Sequence, residues 1–209
     1  MIDIIITCKD RLPHLRKCYD SFKNTIKNNI DINIIIVAYG DLLAHNFGKK
    51  IGKSIYVNEK GFHLSRARNI GFNQSSAEWL FFCDADTLFD PNFFIELNLE
   101  SGNFYTGEPH CSGNCIVKRS DFMGYDENII GYGGEDTDLY VSLERKKIEK
   151  KQLLNFKYIM HTDFDRTRNY KNDKKWDQQK RNIMYLMSKH PHDCLFPKYI
   201  PSEMKNLFI

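Results

Sequence analysis

Two carboxylates one residue apart, Asp84 and Asp86, stand where a short apolar run gives out, in Glu78-Trp79-Leu80-Phe81-Phe82-Cys83-Asp84-Ala85-Asp86-Thr87. The run over 79–83 reads as a buried strand of a parallel sheet, being apolar throughout and bounded by polar residues. Side chains two apart on an extended backbone share a face, so both carboxylates can reach one cation. Hard oxygen donors suit Mg²⁺ or Mn²⁺, above all where substrate phosphates complete the coordination shell. In open α/β sheets ligands gather outside the carboxyl ends of the strands, which is where this pair falls. Asp-x-Asp also occurs in many solvated turns, so its meaning depends on what else the fold brings to it.

A second acidic cluster, Glu135-Asp136-Thr137-Asp138, follows Gly131-Tyr132-Gly133-Gly134. The glycines permit backbone shapes closed to other residues. The acids open a predicted helix over 135–147, with Leu139, Tyr140 and Leu143 as its stripe and Arg145-Lys146-Lys147 closing it in the sense the helix dipole prefers.

The elements that must position these groups follow from periodicity. Strands are predicted over 2–7, 32–37, 54–57 and 79–83, a further one, antiparallel, over 113–118, and a last one over 156–160 that delivers His161 at its end. Helices are predicted over 12–26, with Pro13 in the first turn, over 42–50, within 61–75 and over 176–189. Asp90-Pro91 reads as an N-cap and first helical residue before Phe93, Phe94 and Leu97. Leu64, Ala67, Ile70 and Gly71 share one face of the third helix, with Arg66, Arg68 and Asn69 around the rest. Strands alternating with helices imply an α/β fold with right-handed crossovers. The 209 residues suffice for one domain, and no repeat, linker or low-complexity segment divides them.

The net charge of +3 fits an anionic small-molecule substrate or a loose contact with acidic lipids, and does not fit a dedicated nucleic-acid binder. The six cysteines include no Cys-x-x-Cys, and Cys8 and Cys83 lie in or beside apolar strands, so a reducing cytosol is expected. The start runs straight into a strand without a leader pattern, and no run reaches the length of a membrane span. A cytoplasmic protein is therefore expected, with any membrane association peripheral. The basic tail (Lys171, Lys174, Lys175, Lys180, Arg181) reads as solvated surface, with attraction to an anionic membrane as the minority alternative. His110, Cys111 and Cys115 lack the spacing of a zinc site.

The stretch from Phe122-Met123-Gly124-Tyr125-Asp126-Glu127 to Gly131-Tyr132-Gly133-Gly134-Glu135-Asp136-Thr137-Asp138-Leu139 closely resembles the F-x-G-[YF]-[DN]-E…G-W-G-G-E-D-x-D-L block of β1,4-galactosyltransferase-type GT-A glycosyltransferases. Lys60-Gly61, followed by Ser65-Arg66-Ala67-Arg68-Asn69-Ile70-Gly71, resembles the K-G…A-R-N-x-G segment of bacterial family 2 GT-A polysaccharide enzymes, including chondroitin-synthesising ones. The opening Ile-Ile-Ile-Thr-Cys-Lys-Asp-Arg-Leu-Pro-His-Leu is similar to the family's first strand and nucleotide loop, and Asp84-Ala85-Asp86 to its D-x-D. Four motifs in family order, spanning roughly residues 1–165, are far more specific than any one of them.

The resemblance implies a GT-A fold, a Rossmann-like mixed and mostly parallel sheet flanked by helices. Residues 1–209 would form one domain, with 1–100 a nucleotide-binding half ending in the D-x-D, 101–165 an acceptor and catalytic half, and 166–209 a basic extension. It implies metal-dependent, inverting transfer of a hexose (Gal, GalNAc, GlcNAc or Glc) from a UDP-sugar to a glycan or lipid-linked hydroxyl. Asp136 matches the family's base and Glu135 its acceptor-gripping neighbour. Asp86 matches the direct ligand of Mn²⁺ (or Mg²⁺), with Asp84 shared between metal and ribose. His161 matches the third ligand, with His190 and His192 as competitors. Thr7, Lys9, Arg11, Arg66, Arg68, Asn69, Gly113, Tyr132, Gly133 and Gly134 fall at donor-binding positions, and Asp41 is a candidate nucleotide contact. Arg66 and Arg68 could equally cover a helix face, and Asn69 could simply pack. Tyr132 stands where the family has Trp. Two rivals remain: a haloacid-dehalogenase-type phosphatase using Asp84 and Asp86, whose strand-plus-D-x-D-x-T-L pattern is also met here, and a sugar-binding GT-A relative without turnover.

Overall fold

A computed structural model describes residues 1–26, 31–107, 113–159, 175–191, 198 and 200. Its strands are β1 (Ile2–Cys8), β2 (Ile32–Tyr39), β3 (Lys53–Val57), β4 (Trp79–Asp84), β5 (Thr87–Phe89), β6 (Asn103–Thr106), β7 (Cys115–Lys118), β8 (Glu149–Gln152) and β9 (Phe156–Tyr158). The helices are α1 (Leu12–Ile26), α2 (Leu42–Ile51), α3 (Leu64–Asn73), α4 (Phe93–Glu96), α5 (Glu135–Arg145) and α6 (Lys175–Lys189). Seven strands form one sheet in the order β3-β2-β1-β4-β7-β6-β8, and β5 pairs with β9 apart from it.

Every residue of β1 is buried, as its isoleucine-rich run requires of a strand covered on both faces, and the buried Asp3 carboxylate accepts bonds from the Ser75 hydroxyl and the Ser76 and Ala77 N–H groups. Alternate residues divide between two cores. Ile4, Ile6, Phe81 and Cys83 join Leu15, Phe22, Phe89 and Phe93 on one face. Ile5, Leu80 and Phe82 join Phe104, Phe122, Tyr125, Leu139 and Tyr140 on the other. This is the period-two signature of strands read from both sides.

Three features of the topology place the site. β1 pairs in parallel with β2 on one side and β4 on the other, so the strand order reverses there and a crevice opens at the carboxyl ends. β7 runs antiparallel to β4, with Phe82 opposite Cys115, which brings Gly113 and Asn114 back to the end of β4. β9 runs antiparallel to β5, and the Ile159 N–H donates to the Asp86 carbonyl at 2.7 Å.

The predicted strands and long helices are present with small shifts at their ends. Asp90 is not an N-cap: α4 has only four residues, Asn92 holds the cap position, and the Asp90 carboxylate accepts the Asn92 N–H at 2.9 Å in a turn. The Asp90 N–H is bound to the Asn155 carbonyl at 2.8 Å, which fixes that turn against the residues before β9. α5 stops at Arg145, because the chain turns at Lys147 (φ 62°) into β8. β8 is exposed at every position and pairs with β6, so no apolar alternation announces it.

Candidate active site

One side chain joins the two acidic clusters. Arg68 lies on α3 and is 2% exposed. Its Nη1 donates to Asp136 Oδ1 at 2.7 Å and lies 3.6 Å from Glu135 Oε1. Its Nη2 donates to Asp84 Oδ1 at 3.2 Å and to the Gly113 carbonyl at 3.0 Å. The guanidinium also sits 4.9 Å from the centre of the Tyr125 ring. The planar fork of arginine suits such multiple bonding.

The charges do not balance: three carboxylates meet one cation, and Asp86 adds its own field to Asp84. Burial pushes the Asp84 carboxyl up, Arg68 pulls it down, and Asp86 and Glu135 push it up again, leaving it above its ordinary value. Asp136 is driven well above the usual carboxylate range by burial, against the pull of Arg68 and with Glu135 and Asp84 adding repulsion. Burial opposes the charge on Arg68, but Tyr125 and the carboxylates more than offset it. Surplus negative charge on oxygen donors at the mouth of a crevice is the chemistry a hard divalent cation relieves. Asp84 and Asp86 are therefore a fitting part of a Mn²⁺ or Mg²⁺ site. Among the described residues no group of three or more His, Cys, Asp or Glu is placed to hold a metal ion. His161 and His192 lie outside those residues, as do His110 and Cys111. His190 is engaged elsewhere, its Nε2 lying 2.7 Å from Asp138 Oδ1.

The turn carrying the two aspartates is held by Asn114, which sequence reasoning missed. Its buried Oδ1 accepts the Asp84 N–H at 3.1 Å and the Thr87 hydroxyl at 3.0 Å, closing the turn from both ends. Gly113 stands so close that an added Cβ would lie 2.1 Å from Asp84 Oδ2, so any other residue there would have to displace that carboxylate.

The Arg68 guanidinium is enclosed and bonded to protein oxygens, not spread over an exposed helix face. Asn69 also serves the protein: Nδ2 donates to the Tyr125 carbonyl and to Glu127 Oε1, both at 2.9 Å, and Oδ1 accepts the Tyr125 N–H at 2.8 Å. Arg66 is half exposed and pairs with Glu59 at 3.0 Å, while Glu59 accepts the Tyr39 hydroxyl. Thr7 lies in register with Asp84 across the crevice. Lys9, at the end of β1, reaches the Tyr39 carbonyl at 3.5 Å, and Arg11 sits just before α1. Asp41 caps α2, its Oδ1 accepting the Ala44 N–H at 2.9 Å.

Just before α5, Gly131, Gly133 and Gly134 have φ of 88°, 77° and 103°, a conformation that only glycine adopts readily. They let the chain turn sharply into α5 and present Glu135 and Asp136 in its first turn, where the helix dipole favours acids. Tyr132 lies between them, with Lys175 Nζ 5.2 Å from its ring centre. The structure thus brings Asp84, Asp136, Glu135, Arg68 and Gly113 into one contact network.

Comparison with known proteins places this geometry. Residues 3–100 match the model of glycosyl transferase family 2, and residues 98–166 match that of the N-terminal domain of galactosyltransferase. Glycosyltransferase GlyA of Streptococcus pneumoniae serotype 4 is 26% identical over 117 residues, covering 50% of this chain and 17% of that protein. The chain thus spans a small part of this relative. The catalytic domain of Drosophila β1,4-galactosyltransferase 7, solved with xylobiose, superposes with a TM-score of 0.66 at 16% identity, over 94% of this chain and 82% of that one. Glucosyl-3-phosphoglycerate synthase from Mycobacterium tuberculosis, solved with Mn²⁺, UDP-glucose and glycerol 3-phosphate, gives a TM-score of 0.63 at 12% identity, covering 90% and 79%. The chain has the GT-A fold, and two of its stretches match models of glycosyltransferase families. No helix among the described residues is long and apolar enough to cross a membrane.

Proposed function

We propose that this chain moves a hexose from a UDP-sugar to a hydroxyl of a glycan or lipid-linked saccharide, with inversion at the anomeric carbon and with Asp136 as the base. The observation that carries the reading is the single network joining Asp84 of the D-x-D to Asp136 at the head of α5 through Arg68. It supports the reading because the carboxylate proposed to bind the cation and the one proposed to take the proton share one network, as transfer from a nucleoside diphosphate sugar requires. The structures of Drosophila β1,4-galactosyltransferase 7 with manganese and UDP-Gal, and of the mycobacterial synthase with Mn²⁺ and UDP-glucose, support a UDP-sugar donor and Mn²⁺.

Asp86 and Asp84 would hold the cation, with His161 as the expected third ligand. When bound, the cation neutralises the charge that gathers on the leaving diphosphate. Asp136 takes the proton of the acceptor hydroxyl as that oxygen attacks the anomeric carbon. Burial and its acidic neighbours make it a stronger base than an ordinary carboxylate, while the Arg68 bond at 2.7 Å fixes its position and moderates its protonation. Glu135 grips the acceptor beside it, and Tyr132 offers a ring on which a sugar can stack. Thr7, Lys9 and Arg11 line the nucleotide side. Residues 1–209 act as one catalytic domain in this reading.

The phosphatase alternative is less well supported. Asp84 would have to act as a nucleophile, yet it ends the fourth strand of the chain and is bonded to a buried arginine. A peripheral membrane contact rests on α6, which exposes Trp176, Met184 and Met187 beside its basic residues. Co-sedimentation with vesicles containing phosphatidylserine tests it, and no binding at low salt would exclude it.

Thermal shift tests the site. A ligand bound only by the folded state raises the melting temperature. One UDP-hexose should stabilise the protein with Mn²⁺ and not with EDTA, Asp86→Ala should abolish that shift, and Asp136→Asn should keep it while losing transfer. Equal shifts with and without metal would remove the D-x-D from the account.

A further inference from the structure

Helix α6 belongs to the basic extension, yet its inward residues are uncharged and engage the loop that leads into Glu135 and Asp136. Gln178 is 1% exposed and Asn182 5% exposed. Gln178 Oε1 accepts the Tyr132 N–H at 2.9 Å. Asn182 Nδ2 lies 2.6 Å from the Gly133 carbonyl, 3.1 Å from that of Ile130 and 3.4 Å from that of Tyr132. An added Cβ at Gly131 would come within 2.4 Å of Gln178 Oε1, so the loop and the helix are in tight contact. At its other end α6 secures the first turn of α5 and the preceding loop. Lys189 Nζ bridges Asp126 at 2.6 Å and Asp138 at 2.9 Å, His190 meets Asp138, and the Tyr185 hydroxyl donates to Asp126 at 2.9 Å. Ile183 and Leu186 pack with Ile129 and Val141 beneath these contacts.

We infer that Gln178 and Asn182 are positioning residues for the acceptor: they fix the backbone of the 131–134 loop and through it the ring of Tyr132, while Asp136 is held by Arg68. A loop with three left-handed glycines has no regular ladder of its own, so its polar groups must be satisfied from outside. α6 does this with two buried amides. The D-x-D turn has its own clamp in Asn114, so loosening the 131–134 loop leaves the cation side of the site in place. The inference rests on the proposed function, taking the sugar that stacks on the Tyr132 ring to be the acceptor's.

The test compares the full chain with its Asn182→Ala and Asn182→Asp variants. The second keeps the size of the side chain but puts a carboxylate oxygen where three carbonyls need a donor. Two activities are followed: hydrolysis of the UDP-sugar, with water as acceptor, and transfer to a p-nitrophenyl glycoside that the wild type glycosylates. Both variants should raise the KM for the glycoside by roughly tenfold, the equivalent of one lost hydrogen bond, with the UDP-sugar KM and hydrolysis changed far less. Asn182→Asp should regain transfer as pH falls, because a protonated carboxyl again donates, whereas Asn182→Ala should not. Hydrogen exchange at the Tyr132 amide should quicken in both while β1 amides stay protected. Donor and acceptor KM moving together, or a Tyr132 amide as protected as in wild type, would overturn the clamp. If the wild type transfers to nothing, the proposed function fails, and the exchange measurement still decides whether α6 holds the loop.

Discussion

Replacing Arg68 by methionine removes the one cation that the described residues bring to a buried network and leaves its carboxylates facing one another. The side chains of Glu135 and Asp136 are 8% and 18% exposed, and that of Asp84 is 35% exposed. Breaking a buried ion pair by deleting one partner costs about 3–5 kcal/mol, since the remaining charge is uncompensated. Because Asp84 keeps partial access to water, the lower end applies, about 3 kcal/mol. For a chain of this size that corresponds to a fall in Tm of about 6–12 °C. Urea unfolding with linear extrapolation, at neutral pH without metal, measures it. The sign of the pH dependence is a second check. Arg68 lowers the carboxyl pKa of both Asp84 and Asp136, so its loss lets both rise further. A carboxyl whose folded pKa is raised lends stability at low pH that is lost as pH rises through that value. The deficit of Arg68→Met should therefore shrink as pH falls from neutral. A loss below about 1 kcal/mol, the worth of an exposed pair, or a deficit that grows in acid, would refute the network as described.

Gly113→Ala would press a methyl group onto Asp84 Oδ2; it should cost about 1–3 kcal/mol, as overpacking does, and weaken the metal-dependent thermal shift with UDP-sugar, and wild-type values on both counts would contradict the close approach. Burial pushes the Asp126 carboxyl up, but the bond from Lys189, the Asn128 N–H and the Tyr185 hydroxyl hold it down at about 2. Its contribution is present above its ordinary value of 3.8 and is lost as pH falls toward about 2, so acid unfolding of the wild type should steepen in that window and Asp126→Asn should lack the extra slope.

The strand ending in Asp84 and the helix opening with Glu135 were legible because each is a local pattern: an apolar run with acids at its end, and acids before a stripe with bases behind. The resemblance of the Gly131–Leu139 block then brought the two together. The role of Arg68 was not legible. An arginine on an amphipathic helix next to Arg66 looks like surface, and only the sheet order, which brings β7 to β4 and α5 over α3, shows that one faces inward and the other outward. Asn114 was hidden for the same reason, as its partners lie thirty and twenty-seven residues away. Gln178 and Asn182 sit in a stretch that reads as a basic tail, and their partners are 46 to 52 residues earlier. Asp90 misled because Asp-Pro fits a helix start and an Asx turn equally well. β8, made of Glu149 to Gln152, carries no apolar residue and exists by pairing alone.

The central claim is that Asp84, Asp86 and Asp136 act together in transfer from a UDP-hexose. The most direct measurement is NMR of the reaction of the full chain with UDP-hexoses, Mn²⁺ and a panel of p-nitrophenyl glycosides, with EDTA and Asp136→Asn as controls. The account predicts a new glycosidic linkage of configuration opposite to that of the donor, formed only with metal and lost with Asp136→Asn. A product that retains the donor configuration, or full transfer by Asp136→Asn, would contradict it.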